Sequence, residues 1–207
     1  MKLYTNPASR GQIVSWYLHE LGVQAEEVIL DFKAGEHKAP GYTDKFPFGL
    51  VPSIEDGDLR LFESGAILLY LAERFPEASG VTTTEQRALA AQWVLFANAT
   101  LAPVMFIESV RDTTLPKVFS PLDKVLADRE YLEGGKFSVA DLAVGAYLTY
   151  MPMFLPQVDL SPWPNVVAYI NRISERPSFK ATSGSPEVTN MAKEMAEKRA
   201  AAAAAKE

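Results

Sequence analysis

An α+β domain followed by an all-helical one is the fold class that this sequence predicts. Three observations lead there. The first 75 residues carry strand and helix signals in the order β-α-β and then β-β-α, the order of a small mixed four-stranded sheet with helices on both faces. A hairpin signal sits between two of those strands. Beyond residue 75 the strand signals stop and only helical spacing remains. The 207 residues are enough for two small domains around a real core.

Lys2-Leu3-Tyr4-Thr5 reads as the first strand, and Asn6-Pro7-Ala8 as the loop that ends it. Ser9 is placed to cap a helix running to about Glu20, which Gly22 stops. Val23 to Leu30 reads as a second strand with apolar residues at intervals. Asp31 to Gly49 is a polar loop holding a short helical piece. Val51-Pro52 opens the third strand; a proline is tolerated there because it has no N–H to give to a ladder. Asp56-Gly57 signals a two-residue hairpin. Leu59 and Leu61 alternate with polar partners, and Glu63-Ser64 stands where the chain turns helical, to about Arg74. A serine capping a helix leaves free N–H groups and a partial positive charge in front of it, suited to a carboxylate. Glu63 beside it suits an ammonium. Together they fit the zwitterionic end of an amino acid.

Residues 76–84 read as a linker, 85–185 as the helical domain and 186–207 as a tail. Thr83 and Gln86 form a capping box opening a long helix, with Leu89, Trp93, Phe96 and Ala97 spaced for one face. Pro103 is expected to kink or end it. A shorter helix is expected around Leu122 to Ala127. Ser138 and Asp141 form a second capping box, and Ala143 to Met151 is apolar nearly all round, the pattern of a buried central helix. Trp163-Pro164 opens another helix, which Pro177 halts. The alanine-rich end from Met191 has helix propensity but no apolar stripe, so a mobile tail is expected.

Composition excludes several classes. Net charge is −6 with scattered basic residues, against the basic face that nucleic acid requires. With no cysteine, a disulfide, a thiolate-ligated metal and protein-thiol redox chemistry are all excluded. Two histidines without metal-ligand spacing predict no metal site. No apolar run nears the roughly 18 residues of a bilayer span. The break at Asn6-Pro7 leaves no room for a signal-peptide core, so a cytoplasmic location is expected.

The Val51-Pro52 pair, the Glu63-Ser64 pair, the hairpin between them and the flanking elements resemble the cytosolic glutathione transferases over residues 1–180. Phe137 to Val144 (FSVADLAV) matches the capping box of their helical domain. Tyr4 to Gly11 (YTNPASRG) is similar to the bacterial and cyanobacterial, chi-like subset with a serine in the first loop. The resemblance implies a thioredoxin-like glutathione-binding domain, residues 1–75, joined to a helical domain that forms a hydrophobic substrate site. It implies glutathione as cosubstrate with no permanently bound cofactor, a small hydrophobic electrophile as second substrate, and a homodimer. Val51 would offer its backbone to the cysteinyl part of glutathione beside a cis Val51–Pro52 bond. Glu63 and Ser64 would hold the γ-glutamyl group, and Lys38 would meet the glycyl carboxylate.

A free thiol titrates near about 8.5, so little thiolate exists at neutral pH. Lowering that pKa by about two units requires roughly 2.7 kcal/mol of preferential thiolate stabilisation. One hydrogen bond to a charged group supplies about 1.5–3 kcal/mol, and a helix N-terminus about 0.3–1. Ser9 is the hydroxyl in the implied position; capping alone is its structural alternative. Arg10 competes for the role through charge-assisted bonds. Tyr4 lies too far ahead of the helix and reads as core.

Two features depart from the family pattern. Where many relatives carry a lysine before Val-Pro, this chain has Leu50, which removes one glutathione contact. The region Leu101 to Ala127 looks short for two long antiparallel helices, which predicts a wide or shallow electrophile pocket. Met105, Phe106 and Trp163 are candidates to line it, and each also suits the core. Glutathione-dependent peroxidase chemistry, a glutathione-dependent isomerase or dehalogenase, and a non-catalytic interaction module are the alternatives.

Overall fold

In the computed structural model, which describes residues 1–204, four short strands form the N-terminal sheet: β1 (Lys2–Thr5), β2 (Glu26–Ile29), β3 (Ser53–Asp56) and β4 (Leu59–Phe62). Their spatial order is β2-β1-β3-β4, with β1 parallel to β2 and antiparallel to β3. Helix α1 (Gly11–Glu20) makes the crossover, α2 (Pro40–Thr43) follows a 3-10 turn at Glu36–Lys38, and α3 (Ser64–Arg74) closes the unit. Successive side chains of a strand point to opposite faces. Leu3 and its ladder partner Ile54 therefore enter the main core, while Tyr4 packs on the other face with Leu30, Tyr42 and Phe46. Tyr4 is core, as read from sequence, and its hydroxyl donates to Glu55 at 2.8 Å.

Two local details differ from expectation. The second strand is only four residues long, because β2 is an edge strand whose Ile29 stays 62% exposed. The hairpin turn is Gly57-Asp58, since Asp56 pairs with Leu59, and only Gly57 of the two has positive φ (59°). One left-handed position suffices for a turn whose first residue is glycine.

A single turn, α4 (Pro76–Ser79), leads to α5 (Thr84–Leu95), whose start is the expected Thr83–Gln86 capping box. A π-helical stretch, Phe96–Leu101, joins it to α6 (Ala102–Phe106). Pro103 thus does not end the helix, which runs on to Phe106; it lies in the turn after the π stretch. The buried stripe is Ala90, Val94, Ala97 and Leu101, which shares only Ala97 with the stripe read from sequence; Leu89 is 44% exposed, and Trp93 and Phe96 are half-buried. The continuous helix Thr84–Phe106 is, by length and composition, apolar enough to cross a bilayer, contrary to the sequence reading. It packs instead on α3 and on a central helix described next.

Helix α7 runs Glu108–Leu126, far longer than the short piece expected near Leu122. Pro116 and Pro121 read as breakers, but Leu115, Phe119, Leu122 and Leu126 form one buried stripe, and its burial outweighs the lost backbone bonds. The region Leu101 to Ala127 thus holds one full-length helix, α7, and only the last turn of the helix that begins at Thr84. Helix α8 (Val139–Phe154) is the buried centre, followed by α9 (Pro164–Ser174) and α10 (Pro177–Ala181). Pro177 ends the one and begins the other. The tail is corrected as well: α11 (Pro186–Ala204) is helical and packs on α8, with Val188 and Ala192 buried. A docking face of two small apolar residues is too sparse to read as a stripe. Residues 205–207 lie outside the described part of the chain.

The two halves are joined by buried polar contacts. Arg176 pairs with Glu20 of α1 and stacks 3.9 Å from the centre of the Phe137 ring. Trp16 donates its indole N–H to Ser178 at 3.1 Å, and Ser183 donates to the Gln12 carbonyl. Within the helical half, the fully buried Asp141 accepts from the Leu132 and Ser138 amides and from the Tyr169 hydroxyl (2.8 Å). Burial raises its pKa, and those hydrogen bonds partly offset the rise. Asp141→Ala leaves these buried donors unmet, so a loss of about 2–4 kcal/mol is expected in urea unfolding.

Candidate active site

The site is built where α1 and α3 both begin, against the π stretch of the helical half. Ser9 precedes α1, and the helix starts at Gly11 rather than directly behind the serine. Its hydroxyl donates to the Asn6 carbonyl at 2.7 Å and accepts from the Gly11 amide at 3.0 Å, so it still closes the first turn. Gly11 is required there: a Cβ would collide with the Thr5 hydroxyl of β1. The Arg10 amide makes no hydrogen bond to the described residues.

At α3 the boundary residue is Glu63, not Ser64. Glu63 adopts φ 72°, the one positive φ of a non-glycine residue among those described. Such a conformation costs about 1–3 kcal/mol and is held by its surroundings, often at functional sites. Here the Phe62–Ser53 pairing precedes it, and its carbonyl accepts from Ile67 at 3.0 Å. Ser64 is the first helical residue, buried, and its hydroxyl donates to Asn98 Oδ1 (3.3 Å) instead of capping its own helix. The first amides of α3 lack intrahelical acceptors, and Ser64, the first residue of that helix, lines the same groove as Glu63.

A shallow groove runs from Arg10 past Leu50, Val51 and Pro52 to Glu63 and Ser64. The Val51–Pro52 bond is cis, and Val51 lies outside the β3 ladder. Tyr42 holds this segment: its hydroxyl donates to the Leu50 carbonyl (2.6 Å) and shares a hydrogen bond with Ser53 (2.6 Å). Leu50 itself is 52% exposed. Lys38 lies outside the groove lining, folded over Gly49, and donates to the Phe48 carbonyl at 3.1 Å.

Beyond Arg10 the groove opens into a cavity of about 430 Å³ bounded by the first loop, the π stretch, α6, α8 and α11. Ser9, Arg10, Phe106, Tyr147, Tyr150 and Met195 are among its walls. Of the three residues proposed for this pocket from sequence, only Phe106 lines it. Met105 is fully buried on the other side of its helix, and Trp163 is core between α7 and α9, its indole bonded to Ser120. Neighbours i and i+1 on a helix face about 100° apart, and Met105 turns to the core while Phe106 turns to the cavity.

Among the described residues Arg10 is the only charged one lining the cavity, and it lines the groove too. Partial burial lowers its pKa, but a hydrogen bond to Tyr147 and the nearby Glu63 charge more than compensate, so the net direction is up and the cation is secure. The Tyr147 hydroxyl in turn donates to Asn98 Oδ1 at 2.9 Å. Asn98 therefore joins Ser64 and Tyr147, while its amide group donates to the Val94 carbonyl. Asn98, Tyr147 and Tyr150 escaped sequence reading; a lone Asn in an apolar helix was the one available signal.

The pattern of the glutathione S-transferase N-terminal domain matches residues 1–73, and that of the glutathione S-transferase C-terminal domain matches residues 109–177. Glutathione S-transferase 1 of Zea mays is 34% identical over 208 residues, 87% of this chain and 94% of that one. The chain belongs to the glutathione S-transferase family. Glutathione S-transferase F9 of Arabidopsis thaliana is 31% identical over 80% of this chain and 87% of its own length. The crystal structure of glutathione transferase F7 from Populus trichocarpa aligns with a TM-score of 0.76 at 32% identity, covering 87% of this chain and 96% of that one. Glutathione S-transferase-I bound with lactoylglutathione aligns at 0.73 and 31% identity, over 87% and 96%. This transferase uses glutathione as its cosubstrate, and the interaction-module alternative is not favoured.

A Cβ at Gly65 would sit 2.9 Å from both Asn98 Nδ2 and Val94 Cγ1. Gly65→Ala in the transferase is therefore expected to cost about 1–3 kcal/mol in urea unfolding, by prising α3 from the π stretch.

Proposed function

We propose that the groove holds glutathione by its γ-glutamyl end and that Ser9 stabilises the thiolate, which then attacks a small hydrophobic electrophile in the adjoining cavity. The observation carrying this reading is that Ser9 and Arg10 line one cavity while Arg10, Val51, Glu63 and Ser64 line the groove that runs into it. A γ-glutamyl carboxylate would take the free first amides of α3 and the Ser64 hydroxyl, and its ammonium would meet Glu63. The cysteinyl backbone would pair with Val51. The sulfur would then lie at the start of α1.

The Ser9 proton rests on the neutral Asn6 carbonyl in the free protein. A thiolate competes for it on favourable terms, because hydrogen bonds to an ionised acceptor are roughly twice as strong as neutral ones. The Arg10 amide and guanidinium add positive charge on the same side. Leu50 gives the glycyl carboxylate no cation, and Lys38 is the nearest candidate for it, reached by releasing the Phe48 carbonyl.

Electrophiles of mainly apolar surface suit the cavity. Phe106, Tyr150, Phe154, Val188 and Met195 supply apolar wall, and about 430 Å³ falls within the range of small-molecule sites. Organic hydroperoxides, reduced by the same thiolate, meet the same requirement. The exposed Leu89, beside the half-buried Trp93 and Phe96, supports a homodimer. The kinship with cytosolic transferases supports a cytoplasmic location.

Ser9→Ala is expected to raise the apparent pKa of bound thiol by about one to two units, the equivalent of one charge-assisted bond. Since rate follows the thiolate fraction, turnover at pH 6.5 falls by about 5- to 50-fold and recovers near pH 9, with glutathione affinity little changed. Pre-steady-state titration of thiolate absorbance checks this; an unmoved pKa would transfer the role to Arg10. For the dimer, Leu89→Arg is expected to shift sedimentation from two chains to one.

A further inference from the structure

Beside Ser9 lies a buried hydroxyl that the fold leaves unused. Thr5 ends β1 on the face that carries Leu3, is 1% exposed, and its Oγ1 makes no hydrogen bond to the described residues. The Thr5 carbonyl accepts from the Leu30 amide at 2.9 Å, and a β-branched side chain has little freedom at χ1, so the group is held in place. A Cβ on Gly11 would lie 1.9 Å from Thr5 Oγ1 and 3.0 Å from Ser9 Oγ, which sets both oxygens against the same point of α1. The hydrogen that glycine carries there is only a weak partner for the Thr5 oxygen. A valine would fill the same volume without burying an unmet hydroxyl.

Resting on the reading that Ser9 stabilises the glutathione thiolate, we infer that Thr5 is a positioning residue for Ser9, its hydroxyl donating to Ser9 Oγ when Ser9 turns its own hydrogen to the sulfur. A hydroxyl oxygen can accept two hydrogen bonds. Ser9 Oγ takes one, from the Gly11 amide, and directs its hydrogen to the Asn6 carbonyl at 2.7 Å. One acceptor position is therefore open, and Thr5 holds the matching donor. In the free protein the Asn6 bond fixes Ser9 Oγ where Thr5 makes no hydrogen bond to it. Once the thiolate takes the Ser9 hydrogen, that tether is released and the side chain can settle on Thr5. A hydroxyl that accepts hydrogen bonds is polarised and donates more strongly. The Gly11 amide and Thr5 together then strengthen the bond from Ser9 to the sulfur. The thiol proton leaves to solvent, and Thr5 keeps its own throughout.

Titration of thiolate absorbance in the glutathione complex of the full chain separates this role from a structural one. Thr5→Val keeps the shape and removes the donor. It is expected to raise the apparent thiol pKa by about 0.3 to 0.6, the share of one charge-assisted bond that a supporting bond contributes. Turnover at pH 6.5 should fall about 1.5- to 2.5-fold, with glutathione affinity within about twofold of wild type. Thr5→Ser keeps the hydroxyl and should restore most of the difference. In a Ser9→Ala background, Thr5→Val should move the pKa no further, because Thr5 acts only through Ser9. The urea midpoint of Thr5→Val should not fall, since the hydroxyl removed has no partner in the free protein. Three results would each overturn the proposal: a pKa unmoved by Thr5→Val although Ser9→Ala raises it, an equal rise in the Ser9→Ala background, or a rise that Thr5→Ser does not reverse. If Ser9→Ala itself leaves the pKa unmoved, the reading of Ser9 falls and this proposal with it.

Discussion

The close approach of the π stretch to the start of α3 is the constraint on which the rest of the site depends. Gly65 has no side chain, and Val94 and Asn98 occupy the space that one would fill. That contact seats the helical half on the sheet half at the point where α3 leaves its first amides unpaired. Asn98 then joins Ser64 on the groove side to Tyr147 on the cavity side, and Tyr147 meets Arg10. A π stretch adds one residue per turn, and such bulges recur at functional sites. Here it lets one polar side chain enter an otherwise apolar interface.

Electrostatics follow from that docking. The cavity is apolar apart from a few hydroxyl and amide groups and a single cation, so the field of Arg10 is weakly screened. On the proposed reading the charges to be stabilised are negative, and a cation shared by groove and cavity, with a helix N-terminus behind Ser9, would favour them. The acidic Glu63 lines the same groove, close enough to Arg10 to raise its pKa, and the ammonium of an amino acid would neutralise it.

The helical half shows how tertiary packing overrides local signals. Two prolines inside α7 cost backbone bonds, yet four buried apolar side chains at helical spacing hold the helix together. Helix α11 lacks a stripe and would be marginal alone; two small residues against α8 give it a seat, and Val188 and Met195 become cavity wall. The capping boxes behave oppositely. Each is complete within four residues, needs no distant partner, and stands as the local spacing predicts.

What the sequence determined by itself is what local physics closes: the β-α-β-β-β-α order, the capping boxes, and the Val51-Pro52 and Glu63-Ser64 pairs that border the groove. Those signals are short-range, and a dipeptide or a four-residue box contains all the groups that make them. Only the tertiary structure decided which helix faces are buried, because Leu89-Trp93-Phe96 and Ala90-Val94-Ala97 are equally apolar and only neighbouring elements choose between them. It also decided that Phe106, not Met105 or Trp163, meets the cavity, and that Tyr147 and Tyr150, distant in sequence from Ser9, share its walls. Cavity walls are long-range by nature: they exist only after separate helices have packed around a volume that no single segment encodes.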